Sequence, residues 1–330
     1  GISRYGIPVR TDLEPGDNIE VEFAKTLRDY QTNIVNIYID YVKQNVCTAE
    51  DSIPGSGGIL EVPCGRGKTV MALKIISILQ KKTLIIVHKE FLMNQWIERI
   101  NEFLPGTRIG KIQGGTFDVD NKDIVIGMIQ TIYDKEYPSN AFSSFGLTIV
   151  DEVHRIGSEQ FSRTLFKTIT PYMLGISATV ERKDKLTKVL FMFIGERIYN
   201  EARNDDDPVC VRAIHYKAGD SEFNETELDY RGKPKYSTMI TKLCGFGPRS
   251  DFIVRTIEDL VKETIDSQIM ILCHNRCLLK YLYESIIHRD LATIGYYVGG
   301  MKQNDLQTTE TKQIVLATYA MAAEALDIKT

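Results

Sequence analysis

The run I-L-E-V-P-C-G-R-G-K-T, from Ile59 to Thr69, constrains this chain more than any other stretch. An apolar strand pattern enters a turn carrying Gly65 and Gly67. Lys68 and Thr69 follow, opening the helical pattern V-M-A-L-K-I-I-S-I-L. A turn of this kind points successive backbone N–H groups at an anion, at the positive end of a helix. Lys68 then reaches the β and γ phosphates of a nucleotide, and the Thr69 hydroxyl reaches Mg²⁺. The full pattern G-x-x-x-x-G-K-[ST] has Gly where this chain has Val62. Taken alone, the run also reads as a plain glycine turn between a strand and a helix.

A second feature far downstream answers the first. L-T-I-V-D-E-V-H, Leu147 to His154, is another apolar strand, and it ends in two carboxylates. Asp151 is placed to hold Mg²⁺ through water, and Glu152 to orient and deprotonate an attacking water. A solvated strand end also accounts for an Asp-Glu pair. The two features together point to a nucleotide-hydrolysing site.

The 330 residues suggest two domains, and 43% hydrophobic content suits an ordinary globular core. A net charge of −4 does not mark the whole chain as a nucleic-acid binder, though a local basic groove is compatible with it. No apolar run approaches membrane-spanning length. The start at Gly1 without Met reads as a processed or excised fragment. The six scattered cysteines, Cys64 among them in the phosphate turn, read as thiols of a reducing intracellular compartment. Cys273, His274 and Cys277 lack a second pair at zinc spacing, and Cys273 ends a strand-like run, so no metal site is read there.

Residues 1–25 read as an extended lead-in. From Thr26, apolar residues at helical spacing (Ile34, Ile37, Tyr38, Tyr41) predict a helix. Gln31 in its first turn suits either an adenine edge or a plain polar position. Residues 49–58 (A-E-D-S-I-P-G-S-G-G) read as a loop. Apolar runs at 83–87, 123–127, 147–150 and 172–179 alternate with amphipathic stretches. Together these predict a parallel α/β sheet whose ligand crevice lies at the strands' C-terminal ends. Residues 201–250 break the pattern and read as linker or insertion. A second α/β series follows: helix 251–263, strand 268–273, helix 278–287, then strands 293–298 and 313–318.

These residues resemble a superfamily 2 helicase over positions 26 to 330. T-L-R-D-Y-Q is similar to the adenine-reading Q motif, V-P-C-G-R-G-K-T to motif I, and V-H-K-E-F-L-M-N-Q-W to motif Ia. D-E-V-H resembles motif II, a DEVH box, and S-A-T at 177–179 motif III. Three further runs narrow the branch: H-R-I-G-S-E-Q-F-S-R-T-L, S-A-T-V-E-R-K-D-K-L-T-K and V-L-A-T-Y-A-M-A-A-E-A-L-D-I-K. They resemble the branch holding the excision-repair helicase XPB, phage UvsW and the helicases of large DNA viruses, including the poxviral transcript-release type.

The resemblance implies tandem RecA-like parallel-sheet domains of the P-loop NTPase class: domain 1 over 26–200 and a partial domain 2 over 251–330. It implies ATP and Mg²⁺, with Pro63, Cys64, Gly65, Arg66, Gly67, Lys68 and Thr69 around the phosphates. Arg28 and Gln31 would lie at the base. Thr69 and Asp151 would bind the metal, and Lys68, Asp151, Glu152 and His154 would be catalytic. Ser177, Ala178 and Thr179 would couple nucleotide state to nucleic acid. His88, Gly114, Gln130, Thr131 and Thr318 would touch the nucleic-acid backbone, which positions without reading sequence.

DNA is the implied substrate and RNA the alternative. The implied partners are proteins of transcription, repair or replication, in the nucleus, the cytoplasm, a viral factory or a virion, with no membrane. The family's motif VI, Q-x-x-G-R-x-x-R, is not found after motif V in this sequence. The chain alone is therefore expected to bind ATP–Mg²⁺ but hydrolyse it weakly. Three readings result: an ATP-driven helicase, a translocase or annealing or transcript-release factor without processive unwinding, and a non-hydrolysing nucleotide switch or scaffold fragment.

Overall fold

Continuous apolar runs become strands buried on both faces, flanked by helices. In a computed structural model of the chain, residues 14–44, 56–63, 65–152, 158–178, 187–201, 211–263, 267–319 and 321–322 are described. The chain divides into two units, residues 1–207 and 208–330.

In the first unit, α1 (Asp29–Gln44) precedes β1 (Ser56–Glu61), α2 (Lys68–Leu79), β2 (Thr83–Val87) and α3 (Glu90–Phe103). Then come β3 (Ile109–Gln113), β4 (Thr116–Phe117), β5 (Ile124–Met128), α4 (Ile129–Asp134) and β6 (Leu147–Asp151). The unit ends with α5 (Ser158–Thr168), β7 (Tyr172–Ser177), α6 (Thr187–Phe193) and β8 (Arg197–Asn200). The strands form one sheet in the order β4-β3-β5-β2-β6-β7-β1-β8, parallel throughout except for the β3–β4 hairpin.

Successive strand residues point to opposite faces, and both faces are apolar. Leu60, Ile85, Val87, Ile149 and Ile176 pack under α1, α2 and α3 with Tyr38, Met71 and Trp96. Ile59, Leu84, Ile86, Val150 and Met173 pack on the other face with Ile129, Ile132, Leu165 and Phe193 from α4, α5 and α6. The described part of the lead-in, from residue 14, docks on this unit. Ile19 N–H donates to the Gln80 carbonyl, and the Gln80 side chain bonds both the N–H and the carbonyl of Val21.

One expectation is overturned. Ser56, Gly57 and Gly58, read from sequence as loop, are the first half of β1, in register with Tyr172, Met173 and Leu174 of β7. Their glycines answer to packing. A Cβ on Gly57 would lie 2.0 Å from the Ile194 carbonyl oxygen. Strands β3, β4 and β8 and helix α6 were also not anticipated.

In the second unit, α7 (Ser221–Asn224), α8 (Tyr236–Gly245) and α9 (Gly247–Glu263) lead into β9 (Ile269–Cys273). There follow α10 (Arg276–His288), β10 (Ile294–Tyr297), α11 (Gln303–Glu310) and β11 (Ile314–Thr318). Its three strands are parallel, in the order β10-β11-β9. Val254, Leu279, Leu282, Ile286, Ile314 and Leu316 form its core. The Cys273–Cys277 stretch is a strand-to-helix turn, in which the Asn275 side chain caps α10 by accepting the Cys277 N–H at 2.7 Å. Among the described residues, no helix is long and apolar enough to cross a membrane.

Candidate active site

Strand order sets the site. β7 lies between β6 and β1, and register aligns their ends: Glu61 with Ser177, and Ile176 with Asp151. All three strands are parallel, so the turn after β1 and the acidic end of β6 share one edge. They are about 10 Å apart, two strand spacings, a gap that a lysine and a glutamate side chain close together. Val62 N–H donates to the Ser177 carbonyl at 2.9 Å, tying the base of the phosphate turn to the end of β7. Ser177 itself is fully buried.

The turn needs its glycines. Gly65 and Gly67 sit at φ of 79° and 78°, in the left-handed region where a side chain is strained. A Cβ on Gly67 would also stand 2.5 Å from Gln31 Nε2. Gly67 caps α2 without a side chain, so no capping oxygen competes for the first-turn N–H groups, which an anion can take. Helix α1 braces the turn. Gln31 Nε2 and Tyr30 Oη each donate to the Arg66 carbonyl at 3.1 Å, and Gln31 Oε1 accepts the Arg28 N–H at 3.0 Å. The Arg66 guanidinium lies over the Tyr30 ring and pairs with Glu201. Gln31, read as an adenine contact, thus has both ends of its amide engaged by the protein, at the phosphate turn.

At the acidic end, Lys68 Nζ lies 3.2 Å from Glu152 Oε1, both largely shielded from solvent. Glu152 takes φ of 49°, which for a residue with a Cβ costs roughly 1–2 kcal/mol. Such strain persists where the surroundings enforce it. Asp151 is 6% exposed, and its pKa is pushed up to about 6, first by burial and then by the neighbouring Glu152 charge. A hydrogen bond from Trp96 Nε1 to Asp151 Oδ2, at 2.8 Å, and the Lys68 charge act against that rise. Trp96 comes from α3 and is 1% exposed.

A hard divalent cation fits this donor set. Asp151 and the Thr69 hydroxyl offer oxygen ligands, and a buried carboxylate destabilised as an anion beside a second carboxylate gains from a neighbouring cation.

A second cluster forms along the same edge at the ends of β2, β3 and β5. Gln130 Nε2 donates to the His88 carbonyl at 2.9 Å. Thr131 Oγ1 accepts the Gly114 N–H at 3.1 Å, and Lys135 donates to the Gly114 carbonyl. His88, Gly114, Gln130 and Thr131, expected from sequence to act together, are therefore neighbours. Thr318 ends β11 in the second unit, paired with Cys273. Cys64, His154 and Thr179 lie outside the described residues, whereas Pro63 and Ala178 flank the site. Sequence reasoning missed Trp96 and the Tyr30–Arg66–Glu201 brace. Trp96 ends the motif Ia run, but nothing local to it names Asp151 as its partner.

A parallel sheet with an uncapped glycine turn at one strand end, and its lysine set against an acidic strand end two strands away, defines a P-loop nucleotide-binding protein. Comparison with known proteins narrows the class. Residues 24–182 match the family described as Type III restriction enzyme, res subunit. Over 335 residues the chain is 31% identical to the putative ATP-dependent RNA helicase L396 of Acanthamoeba polyphaga mimivirus, covering 99% of this chain and 60% of that protein. Over 178 residues it is 34% identical to the DNA 3'-5' translocase XPB2 of Sulfurisphaera tokodaii, covering 53% and 36%. The UvsW helicase of bacteriophage T4 aligns in structure at a TM-score of 0.43 and 20% identity, over 58% of this chain and 64% of that one. The chain thus resembles the superfamily 2 helicases, in the branch of the viral helicases and XPB translocases.

Proposed function

We propose that this protein is an ATP-driven nucleic-acid motor. It binds ATP and Mg²⁺ at the shared edge of β1, β7 and β6, and couples hydrolysis to moving along or remodelling nucleic acid, with DNA favoured over RNA. The observation that carries the reading is the 3.2 Å contact between Lys68 and Glu152. It sets the two halves of a phosphoryl-transfer site against each other. The mimiviral and archaeal relatives, one named an RNA helicase and one a DNA translocase, support a nucleic-acid substrate. The thiols of Cys244, Cys273 and Cys277 support a reducing compartment.

The backbone N–H groups of the Gly65–Thr69 turn cradle the phosphates, together with Pro63, Cys64 and Arg66. Lys68 exchanges Glu152 for the β/γ phosphates, which releases Glu152 to act on water. Glu152 takes a proton from that water as its oxygen attacks the γ-phosphorus and the bond to the β-phosphate oxygen breaks, giving ADP and phosphate. Thr69 and Asp151 would hold Mg²⁺, which when bound offsets the charge on the transferring group.

Arg28 and Gln31 would lie nearest the base. His154, Ser177, Ala178 and Thr179 relay nucleotide state. His88, Gly114, Gln130, Thr131 and Thr318 meet the nucleic-acid backbone.

Phosphate release at saturating ATP–Mg²⁺, alone and with single-stranded DNA, forked DNA and duplex RNA, tests the coupling. Acceleration by one of these supports it. A rate indifferent to all three contradicts it. Displacement of a labelled strand from the fork separates unwinding from translocation.

A further inference from the structure

We infer that Trp96 is a positioning residue for the metal-binding carboxylate: its indole N–H fixes one oxygen of Asp151 and orients the group toward Mg²⁺. The inference rests on the nucleotide-site reading above.

Three observations carry it. The indole nitrogen lies 2.8 Å from Asp151 Oδ2, in a direct side-chain hydrogen bond between α3 and the end of β6. Both partners are almost fully enclosed, Trp96 at 1% and Asp151 at 6% exposure, so water replaces neither. Trp96 otherwise belongs to an apolar core cluster that includes Leu92, Met93, Ile100, Val87 and Ile149. An indole N–H is a donor that cannot accept, so its partner must be an acceptor. Leu or Phe at this place would fill the same core without supplying the donor. Partners of metal-ligating carboxylates commonly matter about 10–100-fold in metal affinity when removed.

The test uses the whole chain and measures ATP binding by calorimetry in MgCl₂ and in EDTA. Trp96→Phe keeps the bulk and removes the N–H. The expected result is ATP affinity in EDTA near that of the wild type, with the Mg²⁺-dependent gain reduced about 10–100-fold. In an Asp151→Asn background, where the carboxylate is gone, Trp96→Phe should add nothing further. Trp96→His, which retains a ring N–H, should recover part of the gain. A purely structural role would lower affinity equally in both solutions along with the melting temperature, and would overturn the inference.

Trp96 is the chain's single tryptophan, so one arm needs no variant. Mg²⁺ added to nucleotide-bound wild-type protein should change the tryptophan emission, because it alters the charge the indole touches. No change would overturn the inference even if Trp96→Phe failed to fold. Wild-type protein that binds no ATP at all would bring down the nucleotide-site reading and the inference with it. Wild-type binding with an unaltered Mg²⁺ dependence in Trp96→Phe would remove the inference alone.

Discussion

Lys68 Nζ and Glu152 Oε1 meet at 3.2 Å, although β1 and β6, whose ends present them, are separated by β7. The two side chains meet because the sheet is parallel and the strand ends are level. The same contact places the lysine of the phosphate turn against a carboxylate held at an unfavourable φ.

Glu152→Gln keeps the shape of the side chain and removes its capacity to take a proton. Turnover should fall by about 10²–10⁴, the usual worth of a positioned base, while ATP affinity stays within a few-fold of wild type. Rapid-quench measurement of phosphate release beside equilibrium ATP binding checks both. A joint loss would assign Glu152 to binding instead.

The backbone at Glu152 gives an independent test. Its φ of 49° suits glycine. Glu152→Gly and Glu152→Ala both lose the Lys68 pair, yet the glycine variant should be the more stable by about 1 kcal/mol. In a unit of this size that corresponds to a melting temperature roughly 2–4 °C higher. Equal melting temperatures would mean that the strain is relieved elsewhere.

Gly57 tests why a glycine-rich run is a strand. A Cβ there meets the Ile194 carbonyl oxygen at 2.0 Å, and backbone cannot swing aside like a side chain. Gly57→Ala should destabilise by about 2–3 kcal/mol, lowering the melting temperature by roughly 5–10 °C. Gly115→Ala, with open space around it, should change little. If the two variants melted alike, β1 would not pack as described.

Much of this architecture was legible because its signals are local. Strands β2, β5, β6 and β7 are buried on both faces, which forces unbroken apolar runs. The phosphate turn announces itself through Gly65, Gly67, Lys68 and Thr69, since φ above zero and a helix start leave few residue choices. What escaped depends on distant partners. Strand β3 carries Gly110 and Lys111 beside the short edge strand β4, so its buried and exposed positions alternate, and its apolar signal is thin. Gly57 reads as loop until Ile194 is known to pass it. Trp96 belongs to the core by every local rule, and only the packing of α3 against the end of β6 brings its N–H to Asp151.

Gln130 and Thr131 are neutral, and each is tied to a neighbouring backbone group. Alanine at either position should weaken nucleic-acid binding about 5-fold, the worth of one hydrogen bond of about 1 kcal/mol. The loss should be alike for unrelated sequences, with the salt slope unchanged because no charge is removed. Fluorescence anisotropy across a salt series reads all of this. A loss confined to one sequence would indicate base contacts.

Lys68→Ala bears most directly on the nucleotide site, and calorimetric titration of ATP with Mg²⁺ into wild-type and variant protein is the measurement. A charge-assisted contact to phosphate is worth about 1.5–3 kcal/mol, so the variant should bind roughly 10–100-fold more weakly while melting like a folded protein. Unchanged ATP affinity in a folded Lys68→Ala variant would contradict the assignment of the Gly65–Thr69 turn as the phosphate site.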